Sequence, residues 1–247
     1  MRITVIGATG QVGSQVVRLL RADGHDVVAA SRENGADVLT GAGLTEASTG
    51  AHVLVDVVNS PSFEDEAVMA FFTASSANLV TAARETGIGH YVALSIVGVD
   101  GLPDSGYMRA KVVQEKTIVE SGLPYTIVRA TQFQEFAEAI TGSLVVDGEV
   151  RAPDALIQPI AVADVAAAVT RAAVSAPLDG TLDLGGPDKI SFADLARIVL
   201  ASRGADTPVI VDPSATYFGT RVERDSLVTG DGATLAPTRF EPAAASR

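Results

Sequence analysis

The sequence predicts an α/β fold, in which helices cover both faces of a doubly wound parallel sheet. Short runs rich in valine and isoleucine alternate along the chain with longer helical patterns, and this alternation is typical of such sheets. The runs are apolar at consecutive positions, as expected for strands that are buried on both faces. Gly24, Gly87 and Gly122 each follow a helical pattern, at the place where helices commonly end.

Each predicted element has its own signal. The helix that starts at Val12 follows a glycine-rich turn. The helix that starts at Asp65 has a negatively charged first turn, which the helix dipole favours. The helix that starts at Tyr107 ends two residues before Gly122. The predicted strands are Ile3–Ile6, Val27–Ala30, Val53–Val58, Tyr91–Ser95, Tyr125–Arg129 and Thr181–Leu184. The predicted helices between them are Val12–Ala22, Asp65–Glu85, Tyr107–Glu120 and Val162–Val174.

The alternation becomes less regular after about residue 132. The chain there contains Leu144–Val150, the segment Ala152–Pro159 and a helical pattern near Phe192–Ser202, which we expect to form a small C-terminal lobe that faces the substrate. The sequence has neither an internal repeat nor a low-complexity linker. We therefore predict a single domain over residues 1–247, with a core at 1–132 and with the last sheet strand, the small lobe and a tail at 133–247.

Composition excludes several classes of protein. Hydrophobic residues make up 47% of the 247 positions, which is too many for a disordered chain. Acidic residues outnumber basic ones by 30 to 18, for a net charge of -12, and such a surface repels nucleic acid and anionic lipid. The chain has no cysteine, and its three histidines show no metal-ligand spacing, so we predict no metal site.

The apolar segments are too short or too interrupted for a membrane protein. The N-terminal segment MRITVIGATGQVG lacks the long apolar region of a signal peptide. The stretch Pro159–Ala176 is broken by Asp164 and Arg171, and so falls short of the roughly 18 apolar residues of a membrane span. We expect a cytoplasmic protein that contacts neither membrane nor nucleic acid and acts as a monomer or homodimer on a small molecule.

A glycine-rich turn between the first strand and the first helix predicts a dinucleotide site. Gly7, Gly10 and Gly13 are spaced three residues apart. Glycines allow the chain to turn sharply and to bring its backbone close to a pyrophosphate, which the N–H groups of the following helix then bind. In this context the motif indicates dinucleotide binding by the core at 1–132.

The end of the second strand predicts which dinucleotide binds. Ser31 and Arg32 follow the strand, and an arginine at this place suits the 2′-phosphate of NADP(H). Glu33 comes one residue later and could instead hold the ribose of NAD(H), or pair with Arg32 in solvent. We predict NADP(H), with NAD(H) less favoured.

Tyr107 and Lys111 lie four residues apart on one predicted helix, so both project from the same face. Ser95 ends the preceding strand, at the edge of the sheet where ligands bind. Reduction of a carbonyl needs a proton donor, and a neighbouring cation lowers the pKa of a phenol by about 1–3 units. We therefore expect Ser95 to orient the substrate oxygen, Tyr107 to donate the proton, and Lys111 to tune Tyr107 and bind the nicotinamide ribose.

Together the glycine turn, Ser95 and Tyr107-x-x-x-Lys111 resemble the motifs of the short-chain dehydrogenase/reductase superfamily. GATG at 7–10, YVALSIVG at 91–98, GLPYTIVRAT at 122–131 and GGP at 185–187 resemble its atypical NmrA-like branch. The resemblance covers about residues 1–200 and implies a Rossmann-type fold. Many NmrA-like proteins lack the tyrosine and sense dinucleotides without catalysis, whereas this chain keeps the Ser, Tyr and Lys.

The resemblance also implies which residues contact the cofactor. The glycine turn from Thr9 onward would line the pyrophosphate, Val57–Asn59 the adenine-ribose side, and Ala130–Phe133 the nicotinamide. With the residues identified above, the expected cofactor-binding set is Gly7, Thr9, Gly10, Gln11, Val12, Gly13, Ser31, Arg32, Val57, Val58, Asn59, Lys111, Ala130, Thr131 and Phe133.

The sequence thus predicts an NADPH-dependent oxidoreductase that reduces a carbonyl, a quinone or a related electrophilic small molecule. Two alternatives stay open. One is a non-enzymatic NADP(H)-sensing regulator, and the other is an epimerase, dehydratase or isomerase that uses its bound dinucleotide transiently or structurally.

Overall fold

A computed structural model describes residues 1–242 and confirms the predicted α/β class. The strands are β1 (Arg2–Ile6), β2 (Asp26–Ala30), β3 (Val53–Asp56), β4 (His90–Ile96), β5 (Tyr125–Ala130), β6 (Val145–Val146), β7 (Glu149–Ala152), β8 (Leu156–Ile157), β9 (Gly180–Gly185), β10 (Ile190–Ser191), β11 (Val209–Val211) and β12 (Thr234–Leu235). The α-helices are α1 (Gln11–Ala22), α2 (Leu44–Ser48), α3 (Asp65–Thr86), α4 (Gly106–Glu120), α5 (Ala137–Ser143), α6 (Val162–Val174) and α7 (Phe192–Ser202).

Seven strands form the main sheet, in the order β12-β9-β5-β4-β3-β1-β2. β1 pairs in parallel with both β2 and β3, so that Ile3 lies opposite Val27 on one side and Val53 on the other. The strand order therefore reverses at β1. In open α/β sheets ligands bind at such a reversal, outside the carboxyl ends of the strands. In this sheet the residues that follow β1 and β3 lie at that position.

The long helices form because one side of each is apolar and buried. In α1 the buried residues include Val12, Val16 and Leu20, which recur at helical spacing. α3 ends at Gly87, whose φ of +70° places it in the left-handed region and lets its N–H bond back to the carbonyls of the last turn. α3 packs against α4, and the two helices together carry much of the site described below.

The third strand is shorter than the sequence predicts. We expected it to reach Val58, but it ends at Asp56. The N–H of Val57 still donates to the Ile6 carbonyl at 3.1 Å, whereas the N–H of Val58 donates to Oδ1 of Asp56 at 3.2 Å. This side-chain bond forms a local turn that competes with strand pairing, and it directs the next residues out of the sheet.

The chain divides into two compact units, each discontinuous in sequence. The first comprises Met1–Ser95, Gly106–Arg129 and Val165–Leu182, and its core contains Leu54, Leu79 and Ile127, all fully buried. The second comprises Ile96–Ser105, Ala130–Asp164 and the chain from Asp183 onward. Within it, β6, β7 and β11 form a three-stranded sheet, β8 pairs with β10, and α5 packs against α7.

The elements that the sequence did not predict are all short. They are α2, α5 and the strands of two to four residues in the second unit. Val145 and Val146 of β6 are both exposed, so this strand shows no alternation of apolar and polar positions. Over residues 1–242, none of the helices has the length and apolar character needed to cross a membrane.

Candidate active site

The turn after β1 is built from close backbone contacts that only glycine allows. Gly7 has a φ of +83°, and its N–H and that of Ala8 donate to the Ala30 carbonyl at 3.1 and 3.2 Å. A Cβ on Gly7 would lie 2.9 Å from the carbonyl oxygen of Val57. The glycine turn thus packs directly against the segment that follows β3.

The start of α1 fits a pyrophosphate group. A Cβ on Gly13 would lie 2.1 Å from the Gly7 carbonyl oxygen, so the helix can approach the turn only because this residue is glycine. The cap position, Gly10, has no side chain, and the first helical turn contains no acidic residue. Because the first N–H groups of a helix lack acceptors within the helix, they are free to bind an anion. Thr9, Gly10 and Gln11 are exposed.

Ser31 and Arg32 follow β2, as predicted, but have different surroundings. Ser31 is buried and its N–H donates to Oδ1 of Asn34 at 2.7 Å. Arg32 is exposed and, within residues 1–242, forms no ion pair with Glu33 or any other carboxylate. Its guanidinium group is therefore available to an anionic ligand.

Asp56, the last residue of β3, is buried and serves as a hydrogen-bond acceptor inside the first unit. Its Oδ2 accepts from the Tyr91 hydroxyl at 3.0 Å and from Nε2 of Gln114 at 2.8 Å. Burial and the nearby Asp56 carboxylate raise the pKa of Tyr91 well above its ordinary value. Asp56 thus links β3 to Tyr91 of β4 and Gln114 of α4.

Tyr107 is tied to the same edge of the sheet through Asn59. Its hydroxyl donates to Oδ1 of Asn59 at 2.7 Å, and the N–H of Ser60 donates to the same oxygen at 2.9 Å. Asn59 follows β3 by three residues and comes two residues after Val57, which contacts Gly7. The phenol is therefore held on the segment that borders the glycine turn.

The pKa of Tyr107 is raised, whereas we expected a neighbouring lysine to lower it. Burial raises the pKa of Tyr107 to about 12. Its ring lies 5.6 Å from that of Phe63 and 5.9 Å, edge to face, from that of Phe72. The phenol thus stands among aromatic rings instead of beside a cation.

Lys111 is fully engaged elsewhere. Its Nζ donates to the Leu94 carbonyl at 2.8 Å and to Oε1 of Gln114, and lies 4.6 Å from the centre of the Phe72 ring. Burial lowers the pKa of Lys111 to about 8, although the carboxylates of Asp56 and Glu115 raise it. One face of Phe72 thus receives the ammonium group, while the same ring meets Tyr107 edge to face.

Ser95 lies one residue before the end of β4 and is 3% exposed. Its Oγ has no hydrogen-bond partner within the part of the chain that the structure describes. An unsatisfied buried hydroxyl is costly, and functional sites are one place where such a cost is tolerated. This oxygen therefore has an unused capacity for hydrogen bonding near the carboxyl end of β4.

The residues predicted near the nicotinamide belong to the second unit. The Thr131 N–H donates to the Leu184 carbonyl at 3.0 Å, and the Ala130 carbonyl accepts from the N–H of Val97 at 3.0 Å. The Thr131 hydroxyl is buried and has no partner within residues 1–242. Phe133 stacks on Phe136 with 5.8 Å between ring centres.

Sequence reasoning missed Gln114 and Phe63, and it favoured Phe72 as a core residue without a role in the site. A lone glutamine within a helical pattern carries no chemical signal, and Phe72 is fully buried, as a core residue would be. Phe63 lies in the loop between β3 and α3, where the sequence shows no period. Only the folded chain shows that two of these rings flank Tyr107.

Comparison with protein families and with characterised relatives gives independent information. Residues 7–174 match a protein family described as NAD(P)H-binding. The NAD(P)H azoreductase of Xenophilus azovorans is 30% identical over 223 residues, which cover 82% of this chain and 74% of that protein. The photosystem II assembly factor Ycf39 of Cyanophora paradoxa is 31% identical over 147 residues, or 54% of this chain and 46% of that protein. The aligned part thus spans less than half of the Cyanophora protein.

Solved structures show the same fold at low sequence identity. MoeE5 in complex with UDP-glucose and NAD has a TM-score of 0.72 and 18% identity, covering 90% of this chain and 88% of that one. The dTDP-4-dehydrorhamnose reductase of Bacillus anthracis in complex with NADP has a TM-score of 0.69 and 17% identity, covering 86% and 85%. At these identities the likeness establishes the fold alone.

Proposed function

The chain belongs to the family of NAD(P)H-binding proteins, and from this premise we propose that it is an NADPH-dependent reductase of electrophilic small molecules. Family membership confirms the NAD(P)H class of cofactor, and the shared fold agrees with the resemblance to the short-chain dehydrogenase/reductase superfamily. We also propose a preference for NADPH, a substrate class and a role for each residue of the site.

One observation carries the proposal: the Tyr107 hydroxyl is bonded to Asn59, on the segment whose backbone packs against Gly7. This position supports a role for Tyr107 as proton donor at the strand-order reversal, beside the turn that fits a pyrophosphate. The azoreductase relative aligns along most of its length, and its name supports reduction of an electrophilic double bond.

The proposed chemistry divides between the cofactor and the side chains. When bound, NADPH supplies a hydride. Ser95 donates a hydrogen bond to the substrate atom that gains charge. The Tyr107 hydroxyl turns from Asn59 to the same atom and transfers its proton to it. A phenol whose pKa is about 12 stays protonated at neutral pH, and it gives its proton only to a stronger base, such as a developing alkoxide or nitrogen anion. Water then returns a proton to the tyrosinate.

Lys111 acts at a distance in this scheme. Its ammonium group is held by Leu94 and Gln114, so we assign it the role of a buried positive charge beneath Phe72. Direct bonding to the nicotinamide ribose, which we expected from the sequence, requires Lys111 to leave both partners.

Replacement of Tyr107 by phenylalanine tests the proposal. A panel of carbonyl, quinone and azo compounds is first screened for oxidation of NADPH. With any accepted substrate, Tyr107→Phe should lower kcat by about 100-fold or more, the usual contribution of a general acid, and leave the Kd for NADPH within about twofold. Tyr125→Phe, which removes a hydroxyl outside the site, serves as the matched control. An unchanged kcat in Tyr107→Phe would remove this residue from the mechanism.

A second function, an NADP(H)-sensing regulator, is favoured by the position of Lys111. The ammonium group is bonded to Leu94 and Gln114. Burial, and not a neighbouring cation, sets the direction of the pKa shift of Tyr107. Two relatives, the Ycf39 proteins of Cyanophora paradoxa and Synechocystis, are named assembly factors. A sensor must bind the reduced and oxidised cofactors with different affinity. Tight binding of NADPH over NADP+, together with no turnover on the panel, would support this function against the reductase.

A further inference from the structure

An exposed aromatic ring stands next to the proposed proton donor. Phe63 lies in the loop between β3 and α3, is 71% exposed, and its ring centre is 5.6 Å from that of Tyr107. Single exposed apolar residues are common and need no explanation. What distinguishes Phe63 is its position, because most of its ring is open to solvent at the point where a substrate of Tyr107 would arrive.

Tyr107 is fixed from two sides, so it gives the Phe63 ring a well-positioned partner. The hydroxyl is bonded to Asn59, and the ring is supported edge to face by the fully buried Phe72. Phe71 meets Phe72 in turn, at 5.2 Å and close to a right angle. Tyr107 therefore supports the ring of Phe63, which is the most exposed of these four rings and has free area for another planar group. Aromatic rings favour offset or edge-to-face contact with such groups.

The charges near Phe63 restrict the ligand further. Glu64, Asp65 and Glu66 follow it directly along the chain. Asp65 is paired with Arg109 at 2.8 Å, whereas Glu64 and Glu66 are exposed carboxylates. A negatively charged ligand would be repelled here, both by these carboxylates and by the net charge of the whole chain.

From these contacts we infer that Phe63 determines substrate specificity, by stacking on a planar, conjugated and uncharged substrate while Tyr107 protonates it. The inference rests on the proposed reductase function and narrows its substrate class to flat aromatic electrophiles. A small aliphatic carbonyl compound has no planar surface to place on Phe63 and would gain nothing from it.

The first test measures binding without turnover. The protein is loaded with NADP+, which has no hydride to give, and titrated with 1,4-naphthoquinone in a calorimeter. The chain contains no cysteine, so the quinone meets no thiol. Phe63→Ala should weaken binding about tenfold, Phe63→Leu nearly as much because the aromatic face is lost, and Phe63→Trp should retain it. The sulfonated naphthoquinone should bind at least several-fold more weakly than the neutral compound.

Val119→Ala provides the matched control, since it truncates an exposed apolar side chain near the other end of α4. It should leave binding of the quinone unchanged, and neither it nor Phe63→Ala should alter the Kd for NADP+. Because Phe63 is largely exposed, its truncation should preserve the fold, which the thermal midpoint checks.

Kinetics separate this inference from the proposed function. In an active enzyme, Phe63→Ala should raise KM for the quinone about tenfold and leave KM for a saturated ketone such as cyclohexanone within twofold. If the protein shows no turnover and Phe63→Ala still loses quinone binding, the reductase proposal fails and the role of Phe63 stands. If the wild-type protein does not bind the quinone, or if all variants bind it equally, the inference is overturned.

Discussion

Arg32 is the side chain on which the choice between NADPH and NADH depends. It is exposed and free of ion pairs within residues 1–242, at the end of the strand beside the glycine turn. We expect Arg32→Ala to weaken NADPH binding by about 10- to 100-fold, which corresponds to the loss of one or two charge-assisted hydrogen bonds to a phosphate. The Kd for NADH should change by less than about twofold.

Calorimetric titration with each dinucleotide measures both values. Arg18→Ala removes another exposed arginine, on α1, and serves as the control for the loss of charge alone. Equal weakening of NADPH and NADH by Arg32→Ala would contradict the assignment and would favour Glu33 as the ribose ligand.

Lys111 leads to a prediction about stability and pH. Burial lowers its pKa in the folded protein from 10.5 to about 8. Between these two values the unfolded chain holds a proton at this position that the folded protein has released. The contribution of Lys111 to the free energy of unfolding therefore rises with pH across that window and is flat below it.

Urea unfolding at pH 7, 8, 9 and 10 measures this contribution as the difference between the wild-type protein and Lys111→Met. The difference should shift in favour of the wild type between pH 8 and pH 10. Lys116→Met, which removes an exposed ammonium group from the same helix, is the control. Its free energy of unfolding should rise between pH 8 and pH 10 as that of the wild-type protein does. A pH-independent difference for Lys111→Met would show that its ammonium group is not buried.

Individual residues also show where sequence reasoning reaches its limit. The helical spacing of Tyr107 and Lys111 predicts a shared face, and both do lie on α4. The spacing cannot predict that the ammonium group bonds to Leu94 and Gln114. Leu94 lies on a different element, β4, and Gln114 belongs to no recognisable motif. Side-chain partners depend on packing, and a single sequence does not contain that information directly.

Among the elements, the turn between β1 and α1 makes the sharpest prediction. A Cβ at Gly13 would lie 2.1 Å from the Gly7 carbonyl oxygen, and this backbone atom cannot move without distorting the turn. We expect Gly13→Ala to lower the free energy of unfolding by about 1–3 kcal/mol, as overpacking does, and to raise the Kd for NADPH at least tenfold because the turn opens.

Gly142→Ala makes the same chemical change in α5, where a Cβ would meet nothing within 4 Å. It should be neutral or stabilise the protein by up to about 1 kcal/mol, and leave the Kd unchanged. Chemical unfolding and calorimetry follow both variants. Tight NADPH binding by Gly13→Ala would show that the glycine turn does not hold the cofactor.

The long elements follow from the sequence, while the short ones do not. β1, β2, β4, β5 and the helices α1, α3, α4, α6 and α7 have many apolar residues in a regular pattern, and all agree with the prediction within a few residues at each end. β3 ends early because the Asp56 side chain captures the N–H of Val58. Strands of two or three residues exist only through their partners, so local pattern cannot reveal them.

At the scale of the whole molecule, cofactor binding should stabilise the fold. A ligand that binds only the folded state at 100 times its Kd adds about 2.7 kcal/mol, which for a chain of this length corresponds to a rise in Tm of roughly 5–10 °C. Differential scanning calorimetry with and without NADPH measures the shift. ATP, which lacks the nicotinamide half, should give a smaller rise, and an unchanged Tm with NADPH would contradict cofactor binding at the concentration used.

Gln114 has a consequence for how the molecule admits its ligands. Its amide nitrogen faces the Asp56 carboxylate and its amide oxygen faces the Lys111 ammonium group, so one side chain fastens α4 to the last residue of β3. Sliding or rotation of α4 would leave a buried charge unpaired, at a cost of several kcal/mol. We therefore expect backbone amides of this helix to exchange slowly with deuterium in the absence of any ligand. The freedom needed to let a substrate enter would belong to the loop that carries Phe63, whose amides should exchange first.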